Sequence, residues 1–384
     1  MKKELRMNNV IFLTGATGFV GANILIRILE RDETATVVAL IRADSVEMAQ
    51  KRLEEVLCTI SPEQDPAIWD RIQLLPGDIT LENLGLDDST YTELSEEVTH
   101  VIHAAASVQF TMTLEMARKV NVDGTKRVMA FARRAYDSGS LRRVAYVSTA
   151  YVSGSRSATI HENDDLRPNG FSNTYEQSKY EADSFVRSLM KSMPIMVFRP
   201  SIIVGDSETG RTPCFNVLYP MLRLLQNGSL SVIPGSPETP ADVVPVDFVC
   251  DALYHIFFDA NGKTGQVYHL AAGHRASTLH EVASFALDFF HTISGDRNLH
   301  HIRFIPSILY RMGKTVLSLQ SRALSRAMEI YEPYLFVRRT FDNSNTVAAL
   351  QGSGIVIPTF VEYGATILGY CIKFNWGKRL RRAA

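Results

Sequence analysis

The stretch VIFLTGATGFVG, residues 10–21, decides the fold. Its first four residues are apolar, as in a buried parallel strand, and a glycine-rich turn follows them directly. A helical pattern then begins, with four apolar residues on one face (Ile24, Leu25, Ile28 and Leu29). The stretch therefore predicts a strand, a tight turn and a helix, the first unit of a doubly wound parallel sheet.

Three glycines divide this stretch at intervals of three residues, which is tighter than the common GxGxxG dinucleotide fingerprint. Gly15 permits the sharp turn, Gly18 lets the backbone approach a pyrophosphate, and Gly21 lets helix and strand pack closely. An anion would bind the free N–H groups at the helix N-terminus. We therefore predict dinucleotide binding, against the alternative of an ordinary tight turn. The predicted contact residues are Thr14, Gly15, Thr17, Gly18, Phe19, Val20 and Gly21.

The composition of the whole chain limits the classes of function. At 384 residues with 46% hydrophobic residues, the chain can bury a large core. Lys plus Arg (40) and Asp plus Glu (41) nearly cancel, so no overall field favours nucleic acid. Four cysteines lie far apart without metal-ligand spacing, which is typical of a cytoplasmic protein with reduced thiols and no metal site. We also expect no signal peptide before the first strand, and no run of about 18 apolar residues could cross a bilayer.

The second predicted strand, residues 36–41, ends at Arg42. This position lies about where the ribose-contacting residue of a dinucleotide-binding fold is expected, roughly 20 residues after the glycines. An acidic residue there would favour NAD, whereas a basic one favours the 2′-phosphate of NADP. Arg42 therefore predicts NADP, with NAD less favoured. A solvated arginine is the alternative, and the nearby Asp44 keeps NAD open.

Two further strand ends offer contacts to the cofactor. Asp78 follows the strand at 72–75, where it could accept a hydrogen bond from the adenine amino group while Ile79 packs on the ring. A turn-forming role for Asp78 is equally favoured. After the strand at 98–103, three small residues (Ala104, Ala105 and Ala106) would let a ligand approach the backbone closely.

Asn121 and the loop at Pro200 complete the predicted cofactor contacts. Asn121 lies early in a helical pattern and would bond neighbouring backbone, with ordinary local capping as the alternative. Pro200 ends a strand with a rigid turn that would wall the nicotinamide, and Ile202 follows in the same loop.

The pair Tyr175 and Lys179 comes some 25 residues after a strand that ends in Ser148-Thr149. Residues four apart share one helical face, so the ammonium lies beside the phenol. We expect this positive charge to lower the pKa of the phenol, which could then donate or accept a proton near neutral pH.

The TGATGFVG turn, the Thr149/Tyr175/Lys179 set and the RPSIIVG loop at 199–205 together resemble the extended short-chain dehydrogenase/reductase family, over roughly residues 8–290. Finer features resemble its branch of thioester reductase domains and fatty acyl-CoA reductases. These features are the Ile41-Arg42 strand end, the helical insertion before Gly77-Asp78-Ile79-Thr80, Leu84-Gly85-Leu86 and His103-Ala104-Ala105-Ala106. A short match at Tyr334 and residues 341–346 is similar to the C-terminal part of alcohol-forming fatty acyl reductases.

The resemblance implies an α/β fold, a Rossmann-type doubly wound parallel sheet with a smaller C-terminal substrate-binding region. It implies that NADPH reduces an acyl thioester to an aldehyde, with reduction on to the alcohol left open. Thr149 and Tyr175 would be catalytic by bonding the oxyanion, and Lys179 would hold the nicotinamide ribose. The acyl donor would be coenzyme A or an acyl carrier protein, which the chain would meet in trans because it shows no adenylation or carrier domain.

The predicted domain organisation divides the chain after residue 205. Residues 1–205 are predicted to form the NADP-binding Rossmann domain with the catalytic set, and residues 206–384 mainly the substrate-binding region, with 241–272 returning to the core. Residues 302–328 and 373–382 combine apolar and basic side chains. They could lie on an anionic membrane surface, contact an acidic carrier or the coenzyme A phosphates, or form solvated helix faces.

Four other functions are alternatives to a thioester reductase. A nucleotide-sugar epimerase shares the fold and the Thr/Tyr/Lys set, but it keeps NAD bound, which Arg42 disfavours. A dehydratase of this fold would carry an Asp-Glu pair after Thr149, where Ala150 and Tyr151 stand instead. A carbonyl reductase of the hydroxysteroid type needs no different residues. A redox-sensing regulator would usually lack the Tyr175/Lys179 pair.

Overall fold

The computed structural model describes residues 9–166, 168–259, 261–294, 302–306, 308, 310, 331–332 and 334–378. Its central feature is a seven-stranded sheet. The strands are β1 (Val10–Thr14), β2 (Thr36–Ile41), β3 (Ile72–Pro76), β4 (His100–His103), β5 (Arg143–Val147), β6 (Ile195–Pro200) and β7 (Val267–Leu270). Their order across the sheet is β7-β6-β5-β4-β1-β2-β3, and all neighbouring strands run parallel.

Helices cover both faces of the sheet, because each strand alternates its buried side chains between two cores. Ile11 and Leu13 of β1 face one core, whereas Phe12 faces the other. The helices are α1 (Phe19–Arg31), α2 (Val46–Ile60), α3 (Asp88–Glu97), α4 (Leu114–Arg118), α5 (Gly124–Asp137), α6 (Thr174–Leu189), α7 (Leu218–Gln226), α8 (Val246–Phe258), α9 (Leu279–Ser294), α10 (Ser344–Ala349) and α11 (Phe360–Lys373). The doubly wound parallel sheet predicted from the sequence is confirmed.

The strand order reverses direction between β1 and β4, and this reversal positions the site. Connections from these two strands leave toward opposite faces, so a crevice opens at their carboxyl ends. The glycine turn after β1 and the three alanines after β4 both lie at this crevice.

A separate hydrophobic core joins α7, α9 and α11. Two pairs of short strands also belong to this part: Ile202–Val204 runs parallel to Val243–Pro245, and Val232–Pro234 runs parallel to Arg303–Ile305. The chain then returns, because α8 packs on α1 and β7 extends the sheet beside β6. The domain boundary at residue 205 stays a prediction.

The segment at residues 340–346 is bound against the edge of the sheet. Thr340–Phe341 pairs with Thr159–Ile160, and the carboxylate of Glu162 accepts hydrogen bonds from the backbone N–H of His269 (2.7 Å) and of Asn345. Burial raises the pKa of Glu162 to about 7, although these backbone hydrogen bonds oppose the rise. A buried carboxylate therefore connects the C-terminal segment to β7.

The sequence predicted a membrane or carrier contact for the basic segments and no helix that crosses a bilayer. Residues 311–330 and 379–384 lie outside the described residues, so most of the membrane or carrier contact predicted for 302–328 and 373–382 stays a prediction. Within the ranges that the structure describes, no helix has both the length and the apolar character needed to span a bilayer.

Candidate active site

The turn between β1 and α1 has the shape that a dinucleotide requires. Gly15 has a φ of +80°, and a Cβ at this position would lie 2.6 Å from the backbone nitrogen of Ala105. A Cβ on Gly21 would lie 2.0 Å from the carbonyl oxygen of Gly15. Gly18 begins the helix without a side-chain cap, and the first turn contains no acidic residue. The first N–H groups of α1 are therefore available to an anion, so the residues fit a pyrophosphate.

The side chain of Thr14 has a partner within the protein, and the cofactor contact predicted for Thr14 stays a prediction. It is buried, and its Oγ1 lies 2.7 Å from Nδ1 of His103. The Nε2 atom of His103 lies 2.9 Å from Oγ1 of Thr125. Burial, together with the charge of Lys179, lowers the pKa of His103 to about 3, so the ring is neutral and connects β1, β4 and α5. The Thr14 side chain thus contacts the core, while the half-buried Thr17 remains in the turn.

Two arginines meet at the end of β2. Arg42 is exposed, and its carbonyl oxygen accepts a hydrogen bond from the Arg52 guanidinium on α2. No hydrogen bond or ion pair of the Arg42 guanidinium occurs among the described residues. Arg52 was missed by the sequence analysis, because a side chain on the following helix has no fixed distance from the strand end until the two elements pack.

Asp78 and Ile79 do not line the cavity that contains the catalytic set. An oxygen of Asp78 accepts from the backbone N–H of Thr80 at 2.7 Å, which is the turn-forming role. Ile79 is buried, and a Cβ on Gly124 would lie 2.8 Å from its Cδ1. The Ile79 side chain packs on α5, and its contact with adenine stays a prediction.

Asn121 connects two elements that are distant in the sequence. Its amide nitrogen donates to Oγ of Ser178 (2.9 Å) and to the carbonyl of Ser107 (3.1 Å), and its amide oxygen accepts from the Ser107 N–H (2.8 Å). The side chain is buried and lies in a short π-helical stretch, Lys119–Asp123. Ordinary local capping is therefore wrong, and a direct cofactor contact stays a prediction. The contacts place Asn121 as a support for α6, on which Tyr175 and Lys179 lie.

Thr149, Tyr175 and Lys179 line one cavity of about 400 Å³. Gly18, Phe19, Val20, Gly21, Ala104, Ala106, Pro200 and Ile202 line the same cavity. The Thr149 hydroxyl donates to the carbonyl of Pro200 at 3.4 Å, whereas the Ser148 hydroxyl donates to Asp183 at 2.6 Å. Of the two neighbouring hydroxyls, Thr149 is thus the one without a carboxylate partner.

The predicted effect of Lys179 on the Tyr175 phenol is not found. Burial raises the pKa of Tyr175 to about 12, and a hydrogen bond with Thr149 opposes this rise. Lys179 instead donates to the hydroxyl oxygen of Tyr146 (3.0 Å) and to the carbonyl of Val147 (2.9 Å). The prediction was wrong because it used helical spacing alone, without the acceptors on β5. A phenol with this pKa is protonated at neutral pH and can act as a proton donor.

A buried ion pair lies beneath Lys179. Asp183 is one helical turn beyond it, and Arg199 of β6 binds both carboxylate oxygens, at 2.5 and 3.0 Å. Burial lowers the pKa of Lys179 to about 8, while the charge of Asp183 opposes that decrease. The spacing of Asp183 was visible in the sequence, but its partner on another strand was not.

Many of the residues that line this cavity are apolar. They come from α7, from α9 and from the segment before Thr340, and include Met221, Leu222, Leu225, Val282, Leu335 and Val337. Tyr151 and Tyr334 line the same cavity, with ring centres 5.5 Å apart. The arrangement can hold an apolar chain with its polar end near Thr149 and Tyr175.

Similarity to known proteins agrees with this geometry. The chain is 27% identical over 353 residues to the non-canonical nonribosomal peptide synthetase FrzA of Cladobotryum sp, covering 89% of this chain and 34% of that protein. It is 28% identical over 272 residues to the fatty acyl-CoA reductase wat of Drosophila melanogaster, covering 63% of this chain and 53% of that protein. The chain spans about a third or less of the first curated relatives it matches.

The structure is also similar to solved structures. The terminal R domain from the myxalamid PKS-NRPS biosynthetic pathway superimposes with a TM-score of 0.82 at 25% identity, covering 97% of this chain and 92% of that chain. The family model described as male sterility protein matches residues 13–253, more than half of the chain. The protein therefore belongs to the male sterility protein family, a group of NAD(P)-dependent reductases within the extended short-chain dehydrogenase/reductases.

Proposed function

We propose that the protein uses NADPH to reduce an acyl thioester to an aldehyde. The observation that supports this most directly is the continuous cavity, in which the glycine turn, the Thr149/Tyr175/Lys179 set and an apolar compartment are joined. A nucleotide sugar would need polar partners where α7 and α9 supply apolar side chains. The names of the similar synthetase, reductase and R domain support the same class of substrate.

The cofactor would bind along the carboxyl ends of β1, β2 and β4. The N-terminus of α1 would hold its pyrophosphate, Lys179 its nicotinamide ribose, and Arg42 with Arg52 the 2′-phosphate of NADPH. When bound, the reduced nicotinamide supplies a hydride to the thioester carbonyl carbon.

The residues of the chain act on the carbonyl oxygen. The hydroxyls of Tyr175 and Thr149 are the donors that the cavity presents to this oxygen as its negative charge develops. Since the Tyr175 phenol is protonated at neutral pH, it can give its proton to the oxygen. The hemithioacetal formed in this way expels the thiol and leaves an aldehyde.

We propose a phosphopantetheine thiol as the donor, on a carrier protein or on coenzyme A. The similarity to a peptide synthetase and to an R domain supports a carrier protein. Comparing one acyl group on a carrier protein, on coenzyme A and on N-acetylcysteamine would rank these donors by kcat/KM.

The proposal is tested by NADPH oxidation with octanoyl thioesters, cyclohexanone and a nucleoside diphosphate sugar, with trapping of the aldehyde. We expect reduction of the thioesters, and Tyr175→Phe should lower kcat by at least about a hundredfold with little change in cofactor affinity. Tyr180→Phe, which removes a phenol of the same helix that bonds the Leu166 carbonyl instead, is the matched control. Reduction of cyclohexanone without any thioester would contradict the proposal and favour a carbonyl reductase.

A further inference from the structure

One buried cation lies in the cavity wall outside the catalytic set. Arg339 lines the cavity and is only 5% exposed. Its Nη1 donates to the carbonyl of Gly154 at 2.7 Å, but its Nη2 is buried without a hydrogen-bond partner among the described residues. No carboxylate in the described ranges lies within ion-pair distance of this guanidinium. A buried donor without a partner is unfavourable, so a cavity that retains one is prepared for an acceptor that enters from outside.

Aromatic rings hold this guanidinium next to the reacting end of the cavity. Its central carbon lies 5.0 Å from the ring centre of Tyr151 and 6.0 Å from that of Tyr334. Tyr151 comes two residues after Thr149, and the Tyr334 hydroxyl accepts a hydrogen bond from Asn173 at 2.8 Å. Because Asn173 caps the helix of Tyr175, Arg339 is connected to both elements of the catalytic set. The acceptor would therefore lie close to the reacting carbonyl rather than at the far end of an acyl chain.

The charges nearby indicate a neutral acceptor. Glu176 is fully buried beside the same rings, and its carboxylate accepts from the Ser172 N–H at 2.8 Å. Burial raises the pKa of the Tyr151 phenol, with Arg339 opposing the rise and Glu176 adding to it. Arg339 and Glu176 both act on the Tyr151 phenol. A carboxylate on the substrate would therefore be repelled by Glu176 as well as attracted by Arg339. A hydroxyl or carbonyl oxygen would accept the hydrogen bond from Arg339 without this repulsion.

We propose that Arg339 recognises a neutral oxygen near the thioester, so that the preferred substrates are oxygenated acyl groups rather than plain alkyl chains. This inference rests on the proposed thioester reductase function, which it makes more specific. Arg339 would act as a specificity-determining residue that touches the substrate through Nη2.

The test measures binding, separately from turnover. Two unreactive thioethers, S-octyl- and S-(3-hydroxyoctyl)-N-acetylcysteamine, are titrated by calorimetry in the presence of NADP. We expect the hydroxylated ligand to bind the wild type at least about tenfold more tightly, as for a hydrogen bond to a charged group. Arg339→Met should abolish this preference. Arg275→Met, which removes an exposed arginine paired with Glu362, should leave it unchanged.

The outcomes separate the inference from the proposed function. Equal affinities of the wild type for the two thioethers would overturn the inference, and this result does not depend on any variant folding. A preference that persists in Arg339→Met would also overturn it and would leave Arg339 as a support for the Gly154 carbonyl. If the preference is found but neither octanoyl nor 3-hydroxyoctanoyl thioesters are reduced, the recognition of oxygen stands and the proposed function fails.

Discussion

The Nζ atom of Lys179 donates to the hydroxyl oxygen of Tyr146 at 3.0 Å, although the two residues are 33 positions apart. Tyr146 lies near the end of β5, and Lys179 lies in the second turn of α6. The ammonium also lies 4.6 Å from the centre of the Tyr146 ring. Both residues are buried, so Tyr146 determines where the amine can be when a ribose arrives.

The hydrogen bond to Tyr146 predicts a role in cofactor affinity. Tyr146→Phe keeps the ring but removes the acceptor, and hydrogen bonds to charged groups typically contribute about 1.5–3 kcal/mol. We therefore expect the Kd for NADPH to rise about tenfold. Tyr268→Phe is the control, because that buried phenol bonds the backbone of Lys263 away from the cavity. Equal effects of the two substitutions on cofactor affinity would show that Tyr146 acts only through stability.

The burial of Lys179 predicts a pH dependence of cofactor binding. Its pKa is lowered to about 8, so the ammonium is present below that pH and is lost as the pH rises through it. NADPH affinity of the free enzyme should therefore fall between about pH 7 and about pH 9, with a slope of one proton. Lys179→Met should remove this pH dependence, while Lys191→Ala, a change at an exposed lysine, should keep it. A flat affinity profile for the wild type would contradict the proposed ribose contact.

The two arginines at the end of β2 predict the cofactor preference. If both contact the 2′-phosphate, Arg42→Ala and Arg52→Ala should each reduce the ratio of NADPH to NADH affinity about tenfold or more. Lys51→Ala removes a neighbouring exposed charge of α2 and should change the ratio much less. A wild-type preference for NADH would overturn the assignment of this strand end to NADPH.

A substitution at Gly21 tests how closely α1 packs on the glycine turn after β1. Alanine is normally favoured over glycine inside a helix by about 1 kcal/mol, but a Cβ at this position would lie 2.0 Å from the Gly15 carbonyl oxygen. Gly21→Ala should therefore lower the thermal midpoint and abolish NADPH binding. Gly369→Ala in α11 is the matched control. A Cβ on Gly369 would lie 4.0 Å from Cζ of Phe289, so this substitution should keep or raise the midpoint. A stable Gly21→Ala protein with normal affinity would contradict the packing described here.

The local sequence was sufficient to predict the elements whose hydrophobic pattern and turn residues are distinctive. The first strand, the glycine turn and the following helix occur where the pattern predicts them, and the strand at Thr36–Ile41 has the predicted bounds. Ser45 caps α2, because its hydroxyl oxygen accepts a hydrogen bond from the Met48 N–H. Tyr175 and Lys179 lie on one helix and line one cavity. These features depend on the periodicity of apolar residues, on helix capping and on backbone conformation. All three are determined by residues that are close in the sequence.

Tertiary structure decided the partners of the polar side chains. Thr14 bonds His103, Asn121 bonds Ser178, and Lys179 bonds Tyr146, in each case across strands or helices. Burial, rather than the nearby lysine, controls the pKa of Tyr175, and Arg339 comes to the cavity from far along the chain. A sequence pattern predicts which face of a helix or strand is apolar. It does not predict which other element packs on that face, because the order of the strands and the packing of the helices determine this partner.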